Sequence, residues 1–174
     1  MTTNVGIIGA TGYTGSELTR ILTHHNQVNL SMITSSSFAG KKISDIHPYL
    51  EGICDLKLSN PSMNDIKDLD VVFLALPHGV SMKFVKEIGL NGPRIIDLSG
   101  DFRLKNKDMY EQWYEMDHEF PDAINNAVYG LPELFRKNIA DAQLVANPGC
   151  YPTSAILALA PALKQDLIEV SNIS

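Results

Sequence analysis

Four apolar residues, Val5 to Ile8, lead into Gly9-Ala10-Thr11-Gly12-Tyr13-Thr14-Gly15, and a helical run from Ser16 to Thr23 follows. No other stretch leaves the chain so little freedom. Strand, glycine loop and helix in that order form a dinucleotide-binding fingerprint, here in G-x-x-G-x-x-G spacing. The glycines permit a tight turn and bring backbone N–H groups close to a pyrophosphate at the helix N-terminus. Gly9, Thr11, Gly12, Tyr13, Thr14 and Gly15 are therefore candidate cofactor contacts. The plainer alternative is a tight βα turn with no ligand.

The next apolar run, Val28 to Ile33, ends in Thr34-Ser35-Ser36-Ser37. A site that selects NAD places a carboxylate about 20 residues past the loop to hold the ribose 2′-hydroxyl. This chain has no acidic residue between Glu17 and Asp45. It offers Ser35 and Ser36 instead, with Lys41 and Lys42 nearby, an environment that accepts a 2′-phosphate. NADP is expected over NAD; the alternative for the serines is a solvated loop.

Gly40 to Leu58 reads as an irregular excursion carrying His47-Pro48, without a chemical signal of its own. Asp70 to Leu76 is nearly all apolar, as expected for a strand covered on both faces, and it ends in Pro77-His78-Gly79 before a helix from about Val80 to Ile88. Ligands bind beyond the carboxyl ends of such strands, so Leu76, Pro77 and His78 should border the site. His78 itself reads as structural or catalytic. A further strand from Arg94 runs into a polar loop that carries Arg103, a guanidinium suited to a substrate carboxylate or phosphate, or else paired with Asp101 or a neighbour. Lys105 to Phe120 reads as a surface helix, and Ala127 to Leu134 as a turn-rich stretch before a final strand, Gln143 to Ala146. Strands alternating with helices predict an α/β, Rossmann-like fold: a mainly parallel sheet with helices on both faces.

That last strand stops at Asn147-Pro148-Gly149, and Cys150 stands just before a helical segment, Ser154 to Leu163. A thiol at a helix N-terminus meets unpaired N–H groups and the positive end of the macrodipole, which favour thiolate. Cys150 is the candidate nucleophile, with a buried structural cysteine as the alternative. Asn147, Pro148 and Gly149 are candidate substrate contacts.

Composition narrows the classes. A formal charge of −6 without a long basic run argues against nucleic acid as partner. No apolar stretch approaches the ~20 residues of a membrane helix, and no signal peptide is visible at the N-terminus. The two cysteines, Cys54 and Cys150, are far apart, as expected for free thiols in the cytosol. No Cys/His spacing suits a metal.

Together, Gly9 to Gly15, Ala75-Leu76-Pro77-His78-Gly79, Asp97-Leu98-Ser99-Gly100-Asp101-Phe102-Arg103, Tyr129-Gly130-Leu131-Pro132-Glu133-Leu134 and Asn147-Pro148-Gly149-Cys150-Tyr151-Pro152-Thr153 resemble the N-acetyl-gamma-glutamyl-phosphate reductases of arginine biosynthesis. The resemblance implies NADPH-dependent reduction of N-acetyl-L-glutamyl 5-phosphate to the semialdehyde through a Cys150 thioester. It also implies a catalytic histidine in a second domain and a homo-oligomeric whole protein. None of His24, His25, His47, His78 and His118 lies in that histidine's motif. The expectation is therefore an N-terminal portion: an NADP-binding domain over 1–147, with 148–174 opening a second domain. Two other readings stay open, an NADP-binding module without turnover and a reductase of a homologous acyl phosphate such as N-acetyl-aminoadipyl phosphate.

Overall fold

The computed structural model describes residues 2–172. Six strands, β1 (Thr3–Ile8), β2 (Val28–Thr34), β3 (Val71–Leu74), β4 (Arg94–Asp97), β5 (Ala127–Tyr129) and β6 (Leu144–Ala146), form one sheet in the order β2-β1-β3-β4-β6-β5. Every pairing is parallel. The helices are α1 (Tyr13–Thr23), α2 (Met63–Lys67), α3 (Ser81–Ile88), α4 (Lys107–Tyr114), α5 (Pro132–Asp141) and α6 (Cys150–Lys164).

Side chains alternate across a strand, and here the alternation splits the core in two. Val5 and Ile7 of β1 pack with Leu22 of α1, Ile33 of β2, and Ile43, Leu50, Cys54 and Leu58 of the excursion. Ile8 faces the other way, with Val72 and Leu74 of β3, Ile95 of β4, and Met82, Val85 and Ile88 of α3. The helices thus lie on both faces, as the alternation of strands and helices predicts.

Three expectations change. The stretch Ala127 to Leu134 is not only turns: it contains β5, and α5 begins at Pro132, a residue suited to a first helical turn. The charged run Lys105 to Phe120 is helical only over α4, because Asn106 caps its start through Met109 N and Glu115 leaves it in a left-handed conformation at φ 53°. The cysteine helix starts at Cys150 itself, four residues before the expected Ser154, with Gly149 as its N-cap.

The excursion is irregular but anchored. Two 3₁₀ turns, Ile43–Asp45 and Pro48–Leu50, drive Ile43 and Leu50 into the core, and isolated bridges tie Lys42 to Lys57 and Thr34 to Ser59.

Candidate active site

Register sets the site. Thr34, Ile8, Leu74, Asp97, Ala146 and Tyr129 are paired neighbour to neighbour, so they form one row at the carboxyl edge of the sheet. The residues that follow each of them leave the sheet at the same level. These are Ser35, the glycine loop, Ala75-Leu76-Pro77-His78, the Leu98–Arg103 loop, Asn147-Pro148-Gly149-Cys150 and Gly130. The chain runs from β1 outward to β2 and returns to β3 on the other side, so the glycine loop sits at the switch point where ligand crevices open.

The three loop glycines serve different ends. Gly9 has φ +88°, and a Cβ there would lie 2.4 Å from the Ala75 carbonyl oxygen. A Cβ at Gly15 would lie 2.3 Å from the Gly9 carbonyl oxygen and 2.7 Å from Ala10 Cα, so its absence lets α1 seat against β1. Gly12 has an ordinary φ of −75°, and its Cβ would meet only the Gly9 oxygen, at 3.9 Å. No packing contact within the protein requires glycine at position 12. Tyr13 and Thr14 are exposed at that same terminus. Ser35 is buried, its Oγ 3.2 Å from Thr11 Oγ1 and its N–H donating to the Ser59 carbonyl, while Ser36 is exposed. The solvated-loop alternative thus fails for Ser35, and Ser36 remains open to solvent.

The Pro77-His78-Gly79 turn is clasped by the loop after β4. Gly100 N donates to His78 Nδ1 at 2.7 Å, which leaves a neutral His78 ring with its proton on Nε2. Asp101, fully buried, accepts from Gly79 N with both oxygens, from Met82 N at 2.9 Å and from the Tyr110 hydroxyl. Asp97, also fully buried, accepts from the Ser81 and Ser99 hydroxyls, and burial pushes its carboxyl above the ordinary value. Burial raises the Tyr110 hydroxyl and lowers the His118 imidazole; His118 Nε2 bonds the Asp101 carbonyl oxygen. Both aspartates therefore hold α3 and its preceding turn in place, a role the sequence reading missed. The Asp97-x-Ser99-x-Asp101 spacing was the available signal.

Arg103 makes no ion pair with Asp101. Its Nε donates to the Asn147 carbonyl at 2.7 Å and its Nη2 to the Leu98 carbonyl at 2.8 Å, joining the loop after β4 to the turn before Cys150. A Cβ on Gly149 would lie 3.1 Å from Nη1, so that nitrogen borders the cysteine turn with no protein acceptor among the described residues. Pro148 is buried within this turn. Cys150 is exposed and Cys54 buried. The first bond of α6 runs from Thr153 N to the Gly149 carbonyl. Pro152 has no N–H, so Cys150 and Tyr151 carry the donors left free at this helix start.

The histidines divide clearly. His24 and His25 sit at the far end of α1, before β2, at the opposite edge of the sheet. His118 is buried, and His78 is held by Gly100. His47, read in sequence as uninformative, reaches the glycine loop: its Nε2 lies 2.9 Å from the Thr11 carbonyl oxygen. Among the described residues no group of three or more His, Cys, Asp or Glu could hold a metal ion, and no helix is long and apolar enough to cross a membrane.

Residues 4–142 match the family model described as semialdehyde dehydrogenase, NAD binding domain. The chain is 55% identical over 166 residues to N-acetyl-gamma-glutamyl-phosphate reductase of Methanosphaera stadtmanae, covering 95% of this chain and 47% of that protein. It is 51% identical over 174 residues to the reductase of the same name from Pelotomaculum thermopropionicum, covering 99% of this chain and 50% of that one. The chain spans about half the length of the curated relatives it matches. In fold it is similar to aspartate semialdehyde dehydrogenase II of Vibrio cholerae, at a TM-score of 0.70 and 21% identity over 94% of this chain and 47% of that one. It is also similar to the Candida albicans aspartate semialdehyde dehydrogenase solved with NADP, at 0.62 and 17% over 95% and 48%.

Proposed function

This chain belongs to the semialdehyde dehydrogenase family through its NAD-binding domain, and from that premise we propose that it is the cofactor- and thiol-bearing part of an N-acetyl-gamma-glutamyl-phosphate reductase. The observation that carries the reading is Cys150: an exposed thiol on the first residue of α6, at the same sheet edge as the glycine loop. Residues 1–147 form the cofactor domain, and 148–174 open the next unit. The cytoplasm and a homo-oligomeric whole protein go with this reading.

The residues fit a nicotinamide dinucleotide. Gly12 leaves room at the N-terminus of α1 for a pyrophosphate, with Thr11, Tyr13 and Thr14 around it. The end of β2 presents Ser35 and Ser36 where a carboxylate would repel a 2′-phosphate, which favours NADP over NAD. Leu76, Pro77 and His78 line the neighbouring strand end. When bound, the cofactor supplies hydride.

Cys150 thiolate attacks the carbonyl carbon of the acyl phosphate, the C–O bond to phosphate breaks, and an acyl thioester remains on sulfur. The free N–H groups of Cys150 and Tyr151 are the donors available to charge developing on the carbonyl oxygen. Arg103 holds the Asn147 carbonyl, fixing the cysteine turn, and keeps Nη1 for the phosphate or carboxylate of the substrate. A cofactor held by Thr11, Gly12 and Tyr13 would supply the hydride that reduces this thioester to the semialdehyde, with Cys150 leaving as the thiolate.

Titration calorimetry with NADPH and NADH, followed by phosphate release from N-acetyl-glutamyl phosphate, tests the proposal. Tighter NADPH binding, with a phosphate burst that is lost in Cys150→Ala, is expected. Equal affinities for both cofactors would remove the 2′-phosphate argument, and an unchanged burst in Cys150→Ala would remove the thioester.

A further inference from the structure

We infer that His47 is a positioning residue for the dinucleotide site, acting from the excursion through the glycine loop. The inference rests on the dinucleotide reading above. The middle of the loop has few ties of its own. Ala10 N donates to the Thr34 carbonyl at 2.9 Å, but the turn bond from Gly12 N to the Gly9 carbonyl is long, at 3.4 Å. Thr11 is instead held from two sides: its hydroxyl by Ser35, and its carbonyl by His47 Nε2. The Thr11 carbonyl is an acceptor only, so the ring donates, and Nε2 carries the proton.

The donor is itself fixed. His47 directly precedes the 3₁₀ turn Pro48–Leu50, whose Leu50 is fully buried, and its backbone N–H donates to the Ile43 carbonyl at 2.9 Å. Tyr49 tilts against the ring at 5.7 Å between centroids. A residue 36 positions away in sequence thus determines where the peptide before Gly12 lies, and with it the N–H groups that face a pyrophosphate. Loss of the bond lets the loop sample other conformations, and ordering it again on binding weakens affinity.

The geometry of the donor supplies the test. A glutamine places its amide nitrogen near the position of Nε2, whereas an asparagine places its own near Nδ1. NADPH affinity, read from cofactor fluorescence, is expected to fall about fivefold to tenfold in His47→Ala and His47→Asn, the effect of one hydrogen bond. His47→Gln is expected to stay within about twofold, with thermal midpoints recorded for all three. ADP-ribose, which carries the pyrophosphate, should lose the same factor, and adenosine 2′-monophosphate should not. Should His47→Ala fold poorly, the Gln and Asn pair alone decides. Equal affinities for that pair, or an unchanged affinity in His47→Ala, overturns the inference while leaving the cofactor site standing. A wild-type chain that binds neither NADPH nor NADH overturns the dinucleotide reading and this inference with it.

Discussion

Around the glycine loop the sheet is packed on both faces, whereas α6, which carries the thiol, contributes no buried residue. Val5, Ile7 and Ile8 of β1 are at most 2% exposed, and α1 and α3 close the two sides. In α6, Ile156, Leu157, Leu159 and Leu163 are only half-buried, and Tyr151 is 87% exposed. The glycine-loop end of the edge is determined by its own core; the thiol end is held by a turn and Arg103. Substitutions at the first should therefore act mainly on stability, and at the second on chemistry and association.

Two glycines test the rule within the first region itself. Gly15→Ala drives a Cβ into the backbone of Gly9 and Ala10, and should cost about 3 kcal/mol, at the upper end for overpacking. Gly12→Ala makes one ordinary contact, 3.9 Å from the Gly9 oxygen, and should change stability by less than about 0.5 kcal/mol. On the proposed dinucleotide reading its effect should fall on NADPH, with binding weakened about tenfold by the methyl in the pyrophosphate's path. Denaturant melts and cofactor titrations on both variants check the contrast; a similar stability loss in the two would break it.

The next comparison is between cores. Leu74→Ala, at a fully buried position of β3, should lose about 3 kcal/mol, and Leu157→Ala in α6 less than about 1 kcal/mol. Urea midpoints read both, and a large loss at Leu157 would mean that α6 is part of the core. The thiols differ in the same way. Iodoacetamide should modify exposed Cys150 about a hundredfold or more faster than buried Cys54, which requires local opening. Peptide mapping over time measures both rates, and similar rates would contradict the burial.

The smallest effect expected is one of pH. Burial lowers the folded-state value of His118 below the ordinary histidine value of about 6.5. Its contribution to stability is complete above that pH and is lost as pH falls below it, because the unfolded chain takes up the proton first. Asp97 works in the opposite direction: its value is raised above 3.8, so the stability it adds in acid is lost as pH rises through the folded value. His118→Gln, which keeps a donor for the Asp101 carbonyl, should flatten the fall in stability below pH 6.5. An unchanged slope in thermal melts across that range would assign the acid sensitivity elsewhere.

Much of this was readable from local pattern. The runs at β1, β2, β3, β4 and β6 are apolar and bounded by glycine, proline or polar turns, so their existence and the parallel class followed. β5 was missed because it has three residues among turn formers, and α5 because none of its residues is buried and no apolar stripe marks it. The glycine loop, Arg103 and Cys150 were legible because strand, turn and helix follow one another in sequence. His47 and Asp101 were not, since their partners, Thr11 and Gly79, lie 36 and 22 residues away and no local spacing encodes such contacts.

The central claim is that the thiol at the start of α6 is the acyl acceptor. Incubating the chain with N-acetyl-glutamyl phosphate, quenching in acid and mapping peptides by mass tests it without any need for turnover. One N-acetylglutamyl group on the Cys150 peptide, matched by released phosphate and missing in Cys150→Ser, is the result predicted. An unmodified Cys150 in folded protein that binds NADPH, or an acyl group that persists in Cys150→Ser, would contradict it.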